Sequence, residues 1–207
     1  ENDEGIAVTA NGNVKISVIQ SERALYTDVH NNNHWAAKSV DFVGALGIMK
    51  GIGDDKFAPD SHLTRAMLVT MLYRADGEPE VETVNSFGDI KENAWYEKAV
   101  LWAKENGIVN GVTETEFSPD SDITREQIAT IMHRYAKHKG DDVESGKNTN
   151  ILSYNDSDSI SDYAKASVSA LAANGVINGS DGNFLPLNTL TRAEAVKLIE
   201  NLLKYIQ

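Results

Sequence analysis

Three arginines are the residues of this chain best suited to bind an anion. Each follows a threonine at the start of a segment with helical apolar spacing: LTRAMLVTMLYR, ITREQIATIMHRY and LTRAEAVKLIENLL. Threonine is a favoured N-cap, so Arg65, Arg125 and Arg192 are predicted at the first helical position, where the dipole disfavours a cation by about 0.3–1 kcal/mol. A bound anion would remove this penalty, because free backbone N–H groups and an exposed guanidinium both suit a carboxylate. The pattern is therefore compatible with three anion sites.

The Thr-Arg pairs belong to an internal repeat that covers most of residues 26–203. A loop aspartate opens each repeat: Asp28, Asp89 and Asp156. An aromatic residue then begins a first helix: Trp35, Trp95 and Tyr163. A glycine lies in the loop that follows this helix: Gly51, Gly111 and Gly179. A Phe-x-Pro segment precedes each Thr-Arg pair: Phe57, Phe117 and Phe184. The aspartates, aromatics and glycines recur in register with the arginines and are therefore candidate site residues together with them.

Each of these sets also has a structural interpretation. The arginines could pair with the three aspartates and lock one repeat to the next, and this is compatible with ligand binding if the aspartate orients the arginine. Aromatics at helical spacing are most often core residues, although a flat ring can also stack on a sugar. The glycines could be turn residues with positive φ, or they could let a ligand approach the backbone.

Each repeat is predicted to form a helix, a loop and a second helix. In the first repeat, apolar residues recur at helical spacing over 35–46, and Gly47 resembles a C-terminal cap. Pro59 prevents an early start of the second helix. Glutamine or glutamate stands three residues after the threonine in two repeats, at Gln127 and Glu194, which predicts capping boxes.

One helical hairpin cannot bury its apolar face alone, so we predict a single all-α body of three repeats. The expected division is a linker or the end of a preceding domain at 1–25, followed by repeats at 26–80, 81–145 and 146–207. Within residues 1–20, Asn11-Gly12 lies between alternating β-prone runs, which predicts a hairpin, with a mobile linker as the alternative.

Composition argues against several classes of function. The net charge of −12 argues against nucleic-acid binding, and the absence of cysteine excludes disulfides and thiolate metal sites. No apolar run has the length of a membrane span. The five histidines form no metalloprotease pattern, no serine lies in a nucleophile elbow, and the loops lack the alternating oxygen ligands of a calcium site. We therefore expect no enzyme, no cofactor, no metal and no membrane insertion.

Together these features resemble the S-layer homology (SLH) domain, by which many bacterial surface proteins attach to the cell wall. The resemblance rests on the aspartate-led entry, WAKENGIVNG at 102–111, the Phe-x-Pro loop and the Thr-Arg motif, all in threefold register. It implies a pseudo-threefold bundle with the Thr-Arg helices at its core and grooves between repeats. It also implies an anionic secondary cell-wall polysaccharide as ligand, often capped by a pyruvate ketal on N-acetylmannosamine.

We therefore expect a non-enzymatic anchor that holds a larger surface protein to a Gram-positive-type wall. The alternative from another class is an assembly module of a surface layer, whose grooves bind a neighbouring protein chain. A third possibility is that the remainder of the protein is a hydrolase that this module targets. The grooves of Arg65 and Arg125 are expected to matter more than that of Arg192, on the assumption that tryptophans accompany them.

Overall fold

The computed structural model describes residues 25–141 and 153–206. Over these residues the fold is all-α, as predicted, with short isolated β-bridges in place of a sheet. A 3-10 turn occupies Ser157–Ser159. The α-helices, in chain order, are α1 Thr27–His30, α2 Ala37–Ala45, α3 Arg65–Ala75, α4 Glu97–Glu105, α5 Arg125–His138, α6 Asp162–Ala173 and α7 Arg192–Tyr205. The predicted hairpin within residues 1–20 lies outside the described residues.

The second helix of each repeat begins where the threonine caps it. Both predicted capping boxes are present, pairing Thr124 with Gln127 and Thr191 with Glu194. In the first repeat only the threonine acts, accepting a hydrogen bond from the Met67 N–H at 3.3 Å. Each satisfied cap contributes about 1 kcal/mol to helix stability.

The first helix of the first repeat ends at the predicted glycine cap. Gly47 has φ 70°, a left-handed conformation that glycine adopts without a steric penalty. The Ile48 N–H then donates to the Val43 carbonyl at 2.9 Å, and the Ile48 side chain is buried. The chain is thereby turned into the loop that carries Gly51.

The three repeats meet at a pseudo-threefold axis. There, one buried residue from each repeat donates its N–H to the next in a closed ring: Leu63 to Leu190 at 2.9 Å, Ile123 to Leu63 at 3.0 Å, and Leu190 to Ile123 at 3.3 Å. The ring closes only when all three repeats are present, because each N–H finds its acceptor in another repeat.

Helix packing follows the same cyclic order. The second helix of each repeat packs against the first helix of the next, pairing α3 with α4, α5 with α6, and α7 with α2. The phenylalanines of the three Phe-x-Pro loops are fully buried: Phe57, Phe117 and Phe184. Burial of one such side chain stabilises the fold by about 1.5–3 kcal/mol. One continuous core therefore joins the repeats, as predicted.

Candidate ligand grooves between the repeats

Each motif arginine reaches into the loop of the next repeat. Arg65, at the start of α3, donates from Nε to the Phe117 carbonyl at 3.0 Å and from Nη2 to the Asn110 carbonyl at 3.4 Å. Its guanidinium carbon lies 4.8 Å from the centre of the Phe117 ring. The arginine therefore bridges repeats one and two.

The same contacts recur at the other two interfaces. Arg125 donates to the carbonyls of Phe184 at 2.8 Å and Asn178 at 2.6 Å. Arg192 donates to those of Phe57 at 2.9 Å and Lys50 at 3.0 Å. The cycle is therefore complete, with the third repeat held to the first.

The expectation of exposed arginines is wrong. Arg65 and Arg192 are only 6% and 5% exposed, and Arg125 is half-buried. Burial lowers the pKa of all three guanidinium groups, and nearby negative charge, such as Asp89 beside Arg65, acts in the opposite direction. Each side chain stays positively charged, because the ordinary pKa of arginine lies above about 12.

The free helix N-termini expected for anion binding are also absent. The N–H groups of Arg65 and Ala66 donate to the carbonyls of Ser121 and Pro119, both at 3.0 Å. The third N–H, that of Met67, is taken by the Thr64 hydroxyl. Equivalent bonds satisfy the starts of α5 and α7. An anion at these positions must therefore be bound by side chains.

The three aspartates shape the loops within their own repeats. The Asp28 carboxylate accepts from the N–H groups of Phe57 at 2.9 Å and Ala58 at 2.7 Å, and the other two aspartates repeat this pattern. Ala58 is thereby held at φ 56°, in the left-handed region. Among the described residues no aspartate lies within 4.0 Å of a motif arginine, so the structural interpretation as arginine–aspartate ion pairs is wrong. The arginines do lock the repeats, but through loop carbonyls.

The three candidate aromatics are exposed, so the alternative interpretation of these rings as core residues is wrong. The exposed fraction is 62% for Trp35, 60% for Trp95 and 53% for Tyr163. The residue that follows each of them is the one that enters the core: Ala36, Tyr96 and Ala164. The Tyr163 hydroxyl donates to the buried Glu126 carboxylate at 2.8 Å, which orients the ring. The rings therefore remain available on the surface.

The three loop glycines are required by close packing. None has a positive φ, so the turn interpretation is wrong. A Cβ on Gly111 would overlap the carbonyl oxygens of Thr113 and Glu116, and it would meet the Phe87 ring. Gly51 and Gly179 are confined in the same way by their own loops. The missing side chain makes room for the protein's own loop.

A groove of about 430 Å³ brings one candidate from each repeat together. Arg65 comes from the first repeat, Gly111 from the second and Tyr163 from the third. Arg65 is therefore accompanied by a tyrosine, and the assumption that a tryptophan lies beside it is wrong. The pseudo-threefold relation associates Arg125 with Trp35 and Arg192 with Trp95.

The groove also contains a second arginine that was not predicted. Arg134 lies on α5 and lines this groove, nine residues after Arg125. The equivalent residues in the other two repeats are Arg74 and Asn201, so the three repeats do not share one residue at this position. A search for residues in threefold register cannot find it.

The sequence pattern of the S-layer homology domain matches residues 25–66, 86–129 and 153–196. The chain belongs to the S-layer homology domain family. The three matched segments correspond to the three predicted SLH repeats, and each spans the entry loop, the first helix and the start of the second helix.

Similar proteins carry this SLH region as a small part of a long chain. The chain is 32% identical over 193 residues to an Acetivibrio thermocellus protein named Exoglucanase XynX, covering 92% of this chain and 17% of that protein. It is 30% identical over 160 residues to the Surface-layer 125 kDa protein of Lysinibacillus sphaericus, with 77% and 13% covered. The Cellulosome-anchoring protein of A. thermocellus is 27% identical over 161 residues, with 75% and 35% covered.

The parts of the chain that the structure describes contain no group of three or more histidine, aspartate or glutamate side chains placed to hold a metal ion. No helix within those parts is long and apolar enough to span a membrane.

Proposed function

We propose that this chain is a non-enzymatic anchoring module that binds an anionic secondary cell-wall polysaccharide in the grooves between its SLH repeats. In this way it holds a larger surface protein to a Gram-positive-type wall. The observation that carries the proposal is the groove in which Arg65, Gly111 and Tyr163 meet.

The Arg65 groove has the chemistry that an acidic sugar needs. A guanidinium carries five N–H donors, and Arg65 uses its Nε and Nη2 on loop carbonyls. No described residue accepts a hydrogen bond from its Nη1, so those donors can serve a ligand. The Tyr163 ring can stack on the apolar face of a sugar. A volume of about 430 Å³ falls within the usual range for ligand sites.

Charge and relatedness support the same assignment. The chain carries a net charge of −12, so an anionic polymer must be met by local cations such as the groove arginines. Family membership and the relatives named for surface-layer and cellulosome-anchoring proteins support the role of a cell-surface anchor. The relatives named for enzymes match this chain over only 17%, 9% and 18% of their length, which supports a shared non-catalytic module.

A sedimentation assay with purified sacculi tests this function. The chain should sediment with native sacculi and remain in solution with sacculi from which the secondary polymer has been chemically removed. Binding to stripped sacculi would contradict a polysaccharide ligand. Self-association of the purified chain without sacculi, together with failure to bind native sacculi, would favour the assembly-module alternative.

A further inference from the structure

The three grooves differ in charge, although the repeats that form them share one fold. The difference arises on the second helix that forms the wall of each groove, at helix positions two, three and ten. Positions three and ten carry Gln127 and Arg134 in α5, Met67 and Arg74 in α3, and Glu194 and Asn201 in α7. Position two carries Glu126 in α5 and alanine in the other two helices, but the Glu126 carboxylate is buried and already accepts hydrogen bonds from Ser161 and Tyr163.

Arg134 gives the Arg65 groove a second available cation. Its half-buried side chain lines the groove, and among the described residues it has neither a hydrogen-bond acceptor nor an ion-pair partner. Burial and the bond to Glu126 raise the pKa of Tyr163, and the positive charges of Arg65 and Arg134 act against that rise. Both charges therefore act on the same ring that faces the groove.

The equivalent cation beside the Arg192 groove is already engaged. Arg74 donates from Nη1 to the Ile48 carbonyl at 3.3 Å, and its Nε lies 4.0 Å from the Glu78 carboxylate. An anionic ligand would have to compete with both contacts. The Arg192 groove therefore offers less uncompensated positive charge than the Arg65 groove.

The Arg125 groove is compensated by an acid. Glu194 acts on the Arg125 guanidinium as a nearby negative charge, and its carboxylate is held there by the capping box with Thr191. Asn201 adds no charge at the position of Arg134. Lys197 is paired with Glu200 at 3.1 Å, so it does not supply the missing positive charge to this groove. An anion entering this groove meets a carboxylate.

We propose that Arg134 is a specificity-determining residue that makes the Arg65 groove the principal anion site of the chain, with its guanidinium and that of Arg65 binding one acidic group of the glycan. This inference rests on the proposed function and assigns it to one of three grooves. The contribution of Arg134 is separable from folding, because the described structure gives it no bond to lose.

The test is a calorimetric titration of the whole chain with a methyl glycoside of N-acetylmannosamine carrying a pyruvate ketal. Arg134→Gln should weaken binding about tenfold or more, the effect expected for loss of a charged hydrogen bond. Arg74→Gln makes the same change at the equivalent position and should stay within about twofold of wild type. The same glycoside without the ketal, which is neutral, should bind weakly and without dependence on Arg134.

A gain-of-function variant provides the converse test. Glu194→Gln keeps a capping box of the kind that Gln127 makes, while Asn201→Arg supplies the second cation. Their combination should add a second site, so the stoichiometry should rise from about one to about two. N-acetylmannosamine 6-phosphate is titrated in parallel, since guanidinium groups suit carboxylate and phosphate alike. Whichever anion loses affinity in Arg134→Gln is the group that the site prefers.

The possible failures are distinguishable. If wild type binds neither native sacculi nor the glycosides, both the proposed function and this inference are overturned. Two results would overturn only this inference, provided that wild type binds sacculi. The first is that Arg134→Gln binds every anion as tightly as wild type does. The second is that Arg74→Gln loses as much affinity as Arg134→Gln. Thermal melts of Arg134→Gln should agree with wild type within about 2 °C, which separates lost binding from lost structure.

Discussion

The carboxylate of Asp28 holds the loop that receives the arginine of the third repeat, and the variant Asp28→Asn isolates its contribution. The two oxygens accept from the N–H groups of Phe57 at 2.9 Å and Ala58 at 2.7 Å. Asparagine has almost the same shape but only one acceptor oxygen. Its amide nitrogen would face one of the two backbone donors, so one charged hydrogen bond is lost.

A hydrogen bond to a charged group contributes about 1.5–3 kcal/mol, and Asp28→Asn should lower the free energy of unfolding by that amount. In a chain of this length, 1 kcal/mol shifts the melting temperature by about 2–4 °C, so a decrease of about 3–12 °C is expected. Asp54→Asn is the matched control, because Asp54 is exposed in the same loop and its carboxylate has no bond among the described residues. It should change stability by less than about 0.5 kcal/mol.

The effect of Asp28→Asn has a defined pH dependence. Burial would raise the pKa of Asp28, but the hydrogen bonds from Phe57 and Ala58 outweigh it and hold the pKa below its ordinary value of 3.8. A carboxyl with a depressed pKa stabilises the fold fully above its unfolded-state pKa and loses that contribution as pH falls through the folded-state pKa. In urea unfolding, the difference in free energy of unfolding between wild type and Asp28→Asn should therefore be constant from pH 7 down to about pH 4. It should shrink between about pH 4 and pH 3. Equal stability at pH 7, or an undiminished difference at pH 3, would refute this account of the loop.

Two further predictions concern the interfaces and the glycines. Arg192→Ala should lower the free energy of unfolding by about 2–5 kcal/mol, because two loop carbonyls lose a charged donor. Arg192→Lys should recover only part of this loss. An Arg192→Ala melting temperature equal to that of wild type would contradict a stabilising role for these bonds between repeats. Gly111→Ala should destabilise by about 1–3 kcal/mol, because its Cβ overlaps two carbonyl oxygens. Gly44→Ala, in α2 with open space around it, should stabilise the protein by about 0.5–1 kcal/mol. Urea unfolding in which both glycine variants change the free energy of unfolding in the same direction would refute this reasoning.

Local rules predicted the parts of the fold that depend on neighbouring residues. The capping boxes at Thr124 and Thr191 and the glycine cap at Gly47 follow from contacts within a few residues, so they are visible in the sequence. The helical class and the threefold repeat follow from apolar spacing and register. These signals also placed the candidate site on the second helices.

Contacts between repeats could not be predicted in the same way. The acceptors of Arg192 are the carbonyls of Phe57 and Lys50, which are 135 and 142 positions away and offer no side-chain signature. The structural interpretation of the arginines chose aspartates as partners because charge is visible in a sequence and a carbonyl is not. Helical spacing likewise suggested a buried Trp35, whereas α2 begins only at Ala37 and the ring stays outside. Pairing an arginine with its aromatic needed the order in which the repeats meet.

If the grooves bind the proposed glycan, the bonds between repeats should couple stability to binding at the motif arginines but not at Arg134. Arg65 donates from Nε and Nη2 to carbonyls of the next repeat, and its Nη1 donors stay available to a ligand. One side chain therefore both links two repeats and lines the groove. If the proposed function is correct, removing Arg65 should lower both stability and affinity, and affinity loss alone cannot then identify a binding role. Arg134 projects from an α5 that is already capped and packed, so its charge can vary between repeats without disturbing the fold. A threefold scaffold can thus keep three equivalent folds while its grooves diverge in charge.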